Sequence, residues 1–164
     1  PLLRERCRVV ALDGDDHRRD ATFRGAADAA RWSVRGEGGG GEGGGDSAAF
    51  RALSGGSVAD AAPLEVPVAL GRRLRVRRAL GGVAAMDFAE VCDAALGAAD
   101  YIALASAFDA VVLSDVPCFG ADDVDRARRF ITFLDAMYER RTLLVCEGAH
   151  GRIDDVFAAF AAAA

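Results

Sequence analysis

Two unbroken apolar runs, residues 111–113 (VVL) and 143–145 (LLV), bracket one long amphipathic stretch, and the rest of the chain is arranged around them. A continuous apolar run of this length marks a strand covered on both faces. After the first run, Asp115 breaks the pattern, and Pro117 with Gly120 stops the strand from continuing. The spacing then predicts a helix over residues 121–141. Asp122, Asp123 and Asp125 crowd its first turn and Arg140 and Arg141 its last, the charge order that a helix dipole favours. Val124, Ala127, Ile131, Leu134 and Tyr138 recur at steps of three and four, and Phe130, Phe133 and Met137 widen the stripe. Strand, helix and strand, with both strands apolar throughout, mean a parallel pair joined by a crossover helix. The fold class is therefore α/β, with residues 111–113 and 143–145 as neighbouring parallel strands and the helix packed across them.

Upstream, residues 1–6 read as the end of a helix and 7–12 (CRVVAL) as a buried strand. Periodicity is lost between about residues 27 and 62, where RGEGGGGEGGGD predicts a flexible, disordered glycine-rich insert. No apolar strand leads into those glycines and two glutamates interrupt them, so they do not form a phosphate cradle. Trp32, just ahead of the run, is expected to pack onto the domain. Residues 64–70, 73–78 and 82–88 form three short β-type runs, with turns at Gly71 and at Gly81 and Gly82. Leu74 and Val76 alternate with arginines, as in a half-exposed antiparallel strand. The row RRLRVRR is either the solvated face of that strand or a patch for an anionic ligand. Residues 88–94 and 98–108 predict two short helices leading into the central unit.

Composition narrows the chemistry. The chain has 164 residues and a net charge of −5, which argues against a nucleic-acid partner. All 20 basic residues are arginine, so the lysine that closes a P-loop is absent from this chain. The chain opens at Pro1 inside a helix-like PLLRER, which reads as an internal fragment of a longer protein. Cys7, Cys92, Cys118 and Cys146 show no paired spacing and are expected to be buried thiols in a reducing compartment. No stretch has the length of an integral membrane segment, and no signal peptide is visible. Asp13 and Asp15 follow the first strand and could form an Asp-based phosphotransferase site, one carboxylate attacking and both holding magnesium. Such sites expect Thr or Val where His17 stands, and the competing reading is a polar turn at the sheet edge.

The residues also carry a family resemblance. Gly71-Arg72 with Leu74 and Val76, Gly82-Val83-Ala84, Phe88-x-Glu90-x-Cys92 and Leu96-Gly97-Ala98-Ala99-Asp100-Tyr101 come in order. Val116-Pro117 and Ala127-Arg128-Arg129-Phe130-Ile131 follow, with Asp135 and Tyr138. Together they resemble the C-terminal part of the ZapE and lactation-elevated-protein group, the ATPase-family-gene-one-like AAA-type P-loop ATPases. The opening PLLRERCRVVALDGDDHRRD resembles the segment after that group's sensor region, with His17-Arg18 in place of its Asp-Tyr-Arg turn. Two departures lie near the end: Glu147-Gly148-Ala149 stands where the group has Ser-Ala, and the chain finishes in alanines after Phe160.

The resemblance implies a P-loop NTPase-related fold. Residues 1–26 would end the ATPase core, 27–62 form the insert and 63–164 the C-terminal α/β region. It implies an ATP hydrolase using ATP and Mg2+ in the full-length protein, with the P-loop and Walker B motif outside this chain and no catalytic residue within it. The implied partners are protein substrates and further copies of itself. The implied setting is mitochondrial in a eukaryote, and cytoplasmic and associated with cell division in a bacterium. A non-catalytic interaction domain that kept the scaffold and lost the motor is the alternative. Arg128 and Arg129 are the residues placed for nucleotide or subunit contacts, because they flank the helix's apolar arc and arginine grips phosphate or carboxylate with two donors. Asp125, three and four residues earlier, offers both a local ion pair instead.

Overall fold

The central strand, β5 (Ala110–Val116), has a buried Ala110, Val111, Val112 and Leu113, so both of its faces must be covered. A computed structural model describes residues 30–34, 47–148 and 155–158. The expected strand 7–12, Cys7, Asp13, Asp15, His17 and the glycines of 36–45 lie outside the described residues. The elements are β1 (Ala30–Val34), α1 (Ala48–Ser54), β2 (Ala62–Pro67), β3 (Arg73–Leu80), β4 (Val83–Asp87), α2 (Ala98–Ala107), β5, α3 (Val124–Arg140) and β6 (Leu143–Gly148). A single π-helical turn, Ala89–Asp93, links β4 to α2. The six strands form one sheet in the order β1-β6-β5-β4-β3-β2.

β6 lies beside β5 in parallel, Val111 opposite Leu144 and Val112 opposite Val145, as the two apolar runs predict. β4 is parallel to β5 on the other side and antiparallel to β3, and β2 closes that edge antiparallel to β3. The 82–88 run therefore belongs to the parallel core as well as to the antiparallel meander. Within the span 27–62, residues 30–34 form β1, parallel to β6, and α1 buries Phe50 completely. The strand expected over 64–70 ends at Pro67 instead. Leu70 then sits at φ 62° in a tight turn, where a strand conformation is excluded. Gly81 and Gly82 turn β3 into β4 at φ 57° and 78°, and a Cβ on Gly82 would lie 2.7 Å from the Asp109 carboxylate. Only glycine fits there.

Side chains alternate across the sheet. Val83, Ala85, Ala110, Val112 and Val145 face α1 through Phe50, whereas Ala84, Met86, Val111, Leu113, Leu144 and Cys146 face α2, α3 and the π turn. On that second face Phe130 of α3 meets Phe88 at 5.8 Å and Phe119 at 5.7 Å, and Phe133 meets Tyr101 edge-on at 5.6 Å. The Tyr101 hydroxyl donates to the Val91 carbonyl at 3.0 Å, so this deep ring keeps its polar end satisfied. Buried Thr142 donates to the Ala105 carbonyl at 2.7 Å, tying the start of β6 to the last turn of α2.

The stripe expected of α3 is buried over Ala127, Phe130, Phe133 and Met137 but not over its whole width. Its buried positions are Ala127, Phe130, Phe133, Ala136 and Met137, while Val124, Ile131 and Tyr138 are exposed. The helix carries more apolar positions than one sheet face can cover, and the sheet takes the phenylalanines. The helix starts at Val124 rather than 121, because Asp123 folds back to accept the Gly120 amide at 2.8 Å. Among the described residues no helix is long and apolar enough to cross a membrane.

The two sides of α3 are expected to respond differently to truncation. Phe133→Ala should lower unfolding free energy by about 3–5 kcal/mol in chemical denaturation. Ile131→Ala, on the exposed side, should change it by no more than about 0.5 kcal/mol. Equal effects would mean the helix is rotated from this orientation.

Candidate functional site

The polar chemistry of the described residues is concentrated where β3, β4, the π turn and the start of α3 meet. It begins with one extra residue in β3. Ala62 pairs with Ala79 and Leu64 with Val76, so two steps along β2 match three along β3, and the surplus falls at Arg77 and Arg78. Such a bulge re-aims a side chain. Arg78, about one-fifth exposed, reaches Asp87 and Glu90, each at 3.0 Å. Arg77 reaches the other oxygen of Glu90 at 3.2 Å. Glu90 also accepts the Asp87 amide at 2.9 Å, and the Ser114 hydroxyl donates to Asp87 at 2.9 Å. Asp87 and Ser114 sit side by side at the carboxyl ends of β4 and β5, the edge at which open α/β sheets bind ligands. Here two arginines face two carboxylates, so the cluster is electrically closed and acts as a clamp.

A second cluster joins the π turn to α3. The Arg126 guanidinium grips Asp93 with two donors at 2.7 and 3.0 Å, reaches Asp123 at 3.2 Å and lies 5.1 Å from the centre of the Phe88 ring. The Gly120 amide, and then Arg126, hold the Asp123 carboxyl below the ordinary carboxylate range. Hydrogen bonding to Asp93 raises Arg126 further, so its charge is permanent. Sequence reasoning passed over Arg126. The local signal was Asp123 three residues before it, but its main partner is 33 positions away.

The two arginines chosen from the sequence part company. Arg129 donates to the Cys92 carbonyl at 2.9 Å and to the Ala94 carbonyl at 3.4 Å, satisfying the end of the π turn. Arg128 is about three-quarters exposed and pairs with Asp125 at 3.6 Å, the local alternative. Burial pushes the Cys92 thiol up to about 12, helped by neighbouring Asp93, and burial pushes Cys146 to about 12 as well. Cys118 is exposed, contrary to the expectation of a buried thiol, because it lies in the loop after β5. Among the described residues no three His, Cys, Asp or Glu side chains are grouped as a metal site. Asp13 and Asp15 lie outside the described residues.

The pieces that carried the family resemblance meet in space. Arg72 of the Gly-Arg pair binds Asp100 of the Leu-Gly-Ala-Ala-Asp-Tyr segment at 2.6 Å. Phe88 and the Cys92 carbonyl meet Phe130 and Arg129 of the helix. A family model described as AFG1-like ATPase matches residues 1–160. The lactation elevated protein 1 homolog B of Danio rerio is 37% identical over 75 residues, 46% of this chain and 15% of that protein. An uncharacterized protein of Schizosaccharomyces pombe is 39% identical over 75 residues, 46% of this chain and 16% of its own length. The cell division protein ZapE of Escherichia coli is 43% identical over 61 residues, 37% of this chain and 16% of that protein. The matched stretch thus spans about one-sixth of these relatives. No solved structure matches the chain.

Two outcomes follow from the site's charges. The Asp123 carboxyl is depressed by folding, so its contribution is complete above the unfolded carboxylate range and is lost as pH falls through the folded value. The difference in denaturation midpoint between the wild type and Asp123→Asn should be constant near neutrality and shrink below about pH 4. A difference that grew on acidification would contradict the assignment. For the thiols, alkylation of the native chain should label Cys118 and spare Cys92 and Cys146, even at about pH 9 where an ordinary thiol ionises. Peptide-level mass spectrometry before and after unfolding reads this directly.

Proposed function

This chain belongs to the AFG1-like ATPase family, and we propose that it forms the C-terminal α/β region of an AAA-type ATPase that couples ATP hydrolysis to action on partner proteins. The observation that carries the reading is the family match over residues 1–160, which takes in all the described elements. In this proposal ATP and Mg2+ bind to the part of the protein that holds the P-loop lysine, because this chain contains no lysine. The division into residues 1–26 as the end of the ATPase core, 27–62 as an insert and 63–164 as the C-terminal region is part of the same proposal. Relatives occur in eukaryotes and in bacteria, and in this proposal a eukaryotic protein works in mitochondria and a bacterial one in the cytoplasm.

Within this region the two clusters hold β3, β4, the π turn and α3 as one rigid body, suited to passing a displacement from a motor to a partner. Arg128 is the residue assigned to nucleotide or subunit contact, since among the described residues its guanidinium is held by one exposed local pair. Arg129 is given the structural role, because the carbonyls of Cys92 and Ala94 already occupy it.

Magnesium-dependent ATP turnover should be absent from this chain alone and present in the longer protein with its glycine loop and lysine. There Arg128→Ala should lower turnover by about a thousandfold if it acts as an arginine finger, or dissociate the oligomer, with thermal stability almost unchanged. Arg129→Ala should instead lower thermal stability. Unchanged turnover and unchanged assembly in Arg128→Ala would remove that residue from the reading. A longer protein without turnover would leave the interaction-domain alternative.

A further inference from the structure

The hairpin β2–β3 has one face on the core and one bare. Val66, Leu74 and Val76 pack inward, while Glu65, Pro67, Arg73 and Arg75 are exposed on the opposite face. Up to the bulge, alternate residues of β3 put Arg73, Arg75 and Arg77 in one row, spaced about 6.8 Å apart along the strand. Among the described residues Arg73 meets exposed Glu65 at 2.9 Å, Arg75 has no ion pair, Arg77 is already held by Glu90 at 3.2 Å, and Arg72 keeps half its side chain exposed despite Asp100. On a chain of net charge −5 this is a concentrated positive stripe.

The turn beside it carries a second anomaly. Leu70 is 99% exposed and has φ 62°, a conformation suited to Gly or Asn. A large apolar side chain is thus held out from the surface in a backbone conformation it resists. Next to it opens a recess of about 350 Å³ lined by Glu65, Pro67, Val68, Gly71, Arg72 and Arg73.

We propose that this face is a docking surface for an extended acidic segment of a partner protein, one that places carboxylates on alternate residues over Arg73 and Arg75 and an apolar side chain against Leu70. An extended peptide has the same repeat as β3, so its carboxylates fall in register with the guanidiniums, each able to accept two parallel donors. The partner lies on the face and does not add a strand, because β2, the edge among the described strands, lacks amide donors at Pro63 and Pro67. Single-stranded nucleic acid is the less suited anion: its binding relies on aromatic stacking, and the one exposed ring among the described side chains, Tyr138, lies on α3. A lipid surface would need more than one inserted apolar side chain beside the arginines. The inference goes beyond the ATPase reading and stands without it.

The test is fluorescence anisotropy of the whole chain, without nucleotide, against a labelled peptide alternating glutamate with threonine and ending in leucine. Saturable binding that weakens with added salt is expected. Arg75→Glu, which breaks no ion pair seen among the described residues, should weaken it about tenfold. Leu70→Asn should also weaken binding while leaving the chain at least as stable, since asparagine accepts the left-handed turn. A merely structural leucine would give no such split. Binding unchanged by Arg75→Glu would overturn the proposal, as would tighter binding of a single-stranded thymidine oligonucleotide or of phosphatidylserine vesicles than of the peptide. Because no ATP is present, either failure leaves the ATPase reading untouched, and loss of ATP turnover leaves this one untouched.

Discussion

Covering β5 on both faces is the constraint from which the rest of the architecture follows. Val111 and Leu113 need a helix layer on one side, and Ala110 and Val112 need one on the other. The first layer is the larger, and it is built on Phe130 and Phe133 of α3. Those two rings contact Phe88, Phe119, Tyr101 and Phe157, which belong to segments on either side of α3 in the chain. Offset and edge-on aromatic contacts each add roughly 0.5–1.5 kcal/mol beyond their buried area, so the cluster fixes orientation as well as proximity. The smaller layer, α1 with Phe50, seals the opposite face with one deep anchor. The polar clamps sit at the rim of this aromatic core, where they set the angles between elements already held together by burial.

What could be read from the sequence was what repeats along it. The parallel pair was legible because both runs are apolar at every position, a pattern with no solvent side to place. Leu74 and Val76 between arginines marked the half-exposed strand by the opposite pattern, strict alternation, and they are buried as expected. The phase of α3 was legible only in part. Val124, Ala127, Ile131, Leu134 and Tyr138 make a complete three-four repeat, and nothing local says that the sheet will prefer the overlapping set around Phe130 and Phe133. The side-chain volumes decide it: rings fill the space over β5 that Ile131 and Val124 would leave empty.

The clamps were illegible for a different reason. Arg126 to Asp93 and Arg72 to Asp100 span 33 and 28 positions, so they exist only after α3 has met the π turn and the start of β3 has met α2. Periodicity carries no information on such pairs. A nearer clue lay in the grouping of family pieces, since Gly-Arg with Leu-Gly-Ala-Ala-Asp-Tyr, and Phe88 to Cys92 with Arg128 to Phe130, are the segments that touch. Arg129 shows the limit of helix-wheel reasoning. Its position on the flank of the apolar arc was right, but its partners are backbone carbonyls at the end of a π turn, groups that no residue pattern announces.

The arginines of β3 show how a single backbone irregularity divides one strand into two kinds of chemistry. Arg73, Arg75, Arg77 and Arg78 carry the same charge within six positions, yet their surroundings differ sharply. Before the bulge the two-residue period keeps Arg73 and Arg75 on the bare face, where water screens them and a surface ion pair contributes about 0–1 kcal/mol. At the bulge the period slips by one, Arg78 turns toward Asp87 and Glu90, and its partly buried pairs close the clamp. After it, Ala79 returns to the core face. Without the extra residue Arg78 would share the face of Leu74 and Val76, bringing an unpaired charge into the apolar layer. The bulge therefore reconciles an arginine-dense strand with an apolar core, and the arginines ahead of it, Arg73 and Arg75, stay on the exposed face.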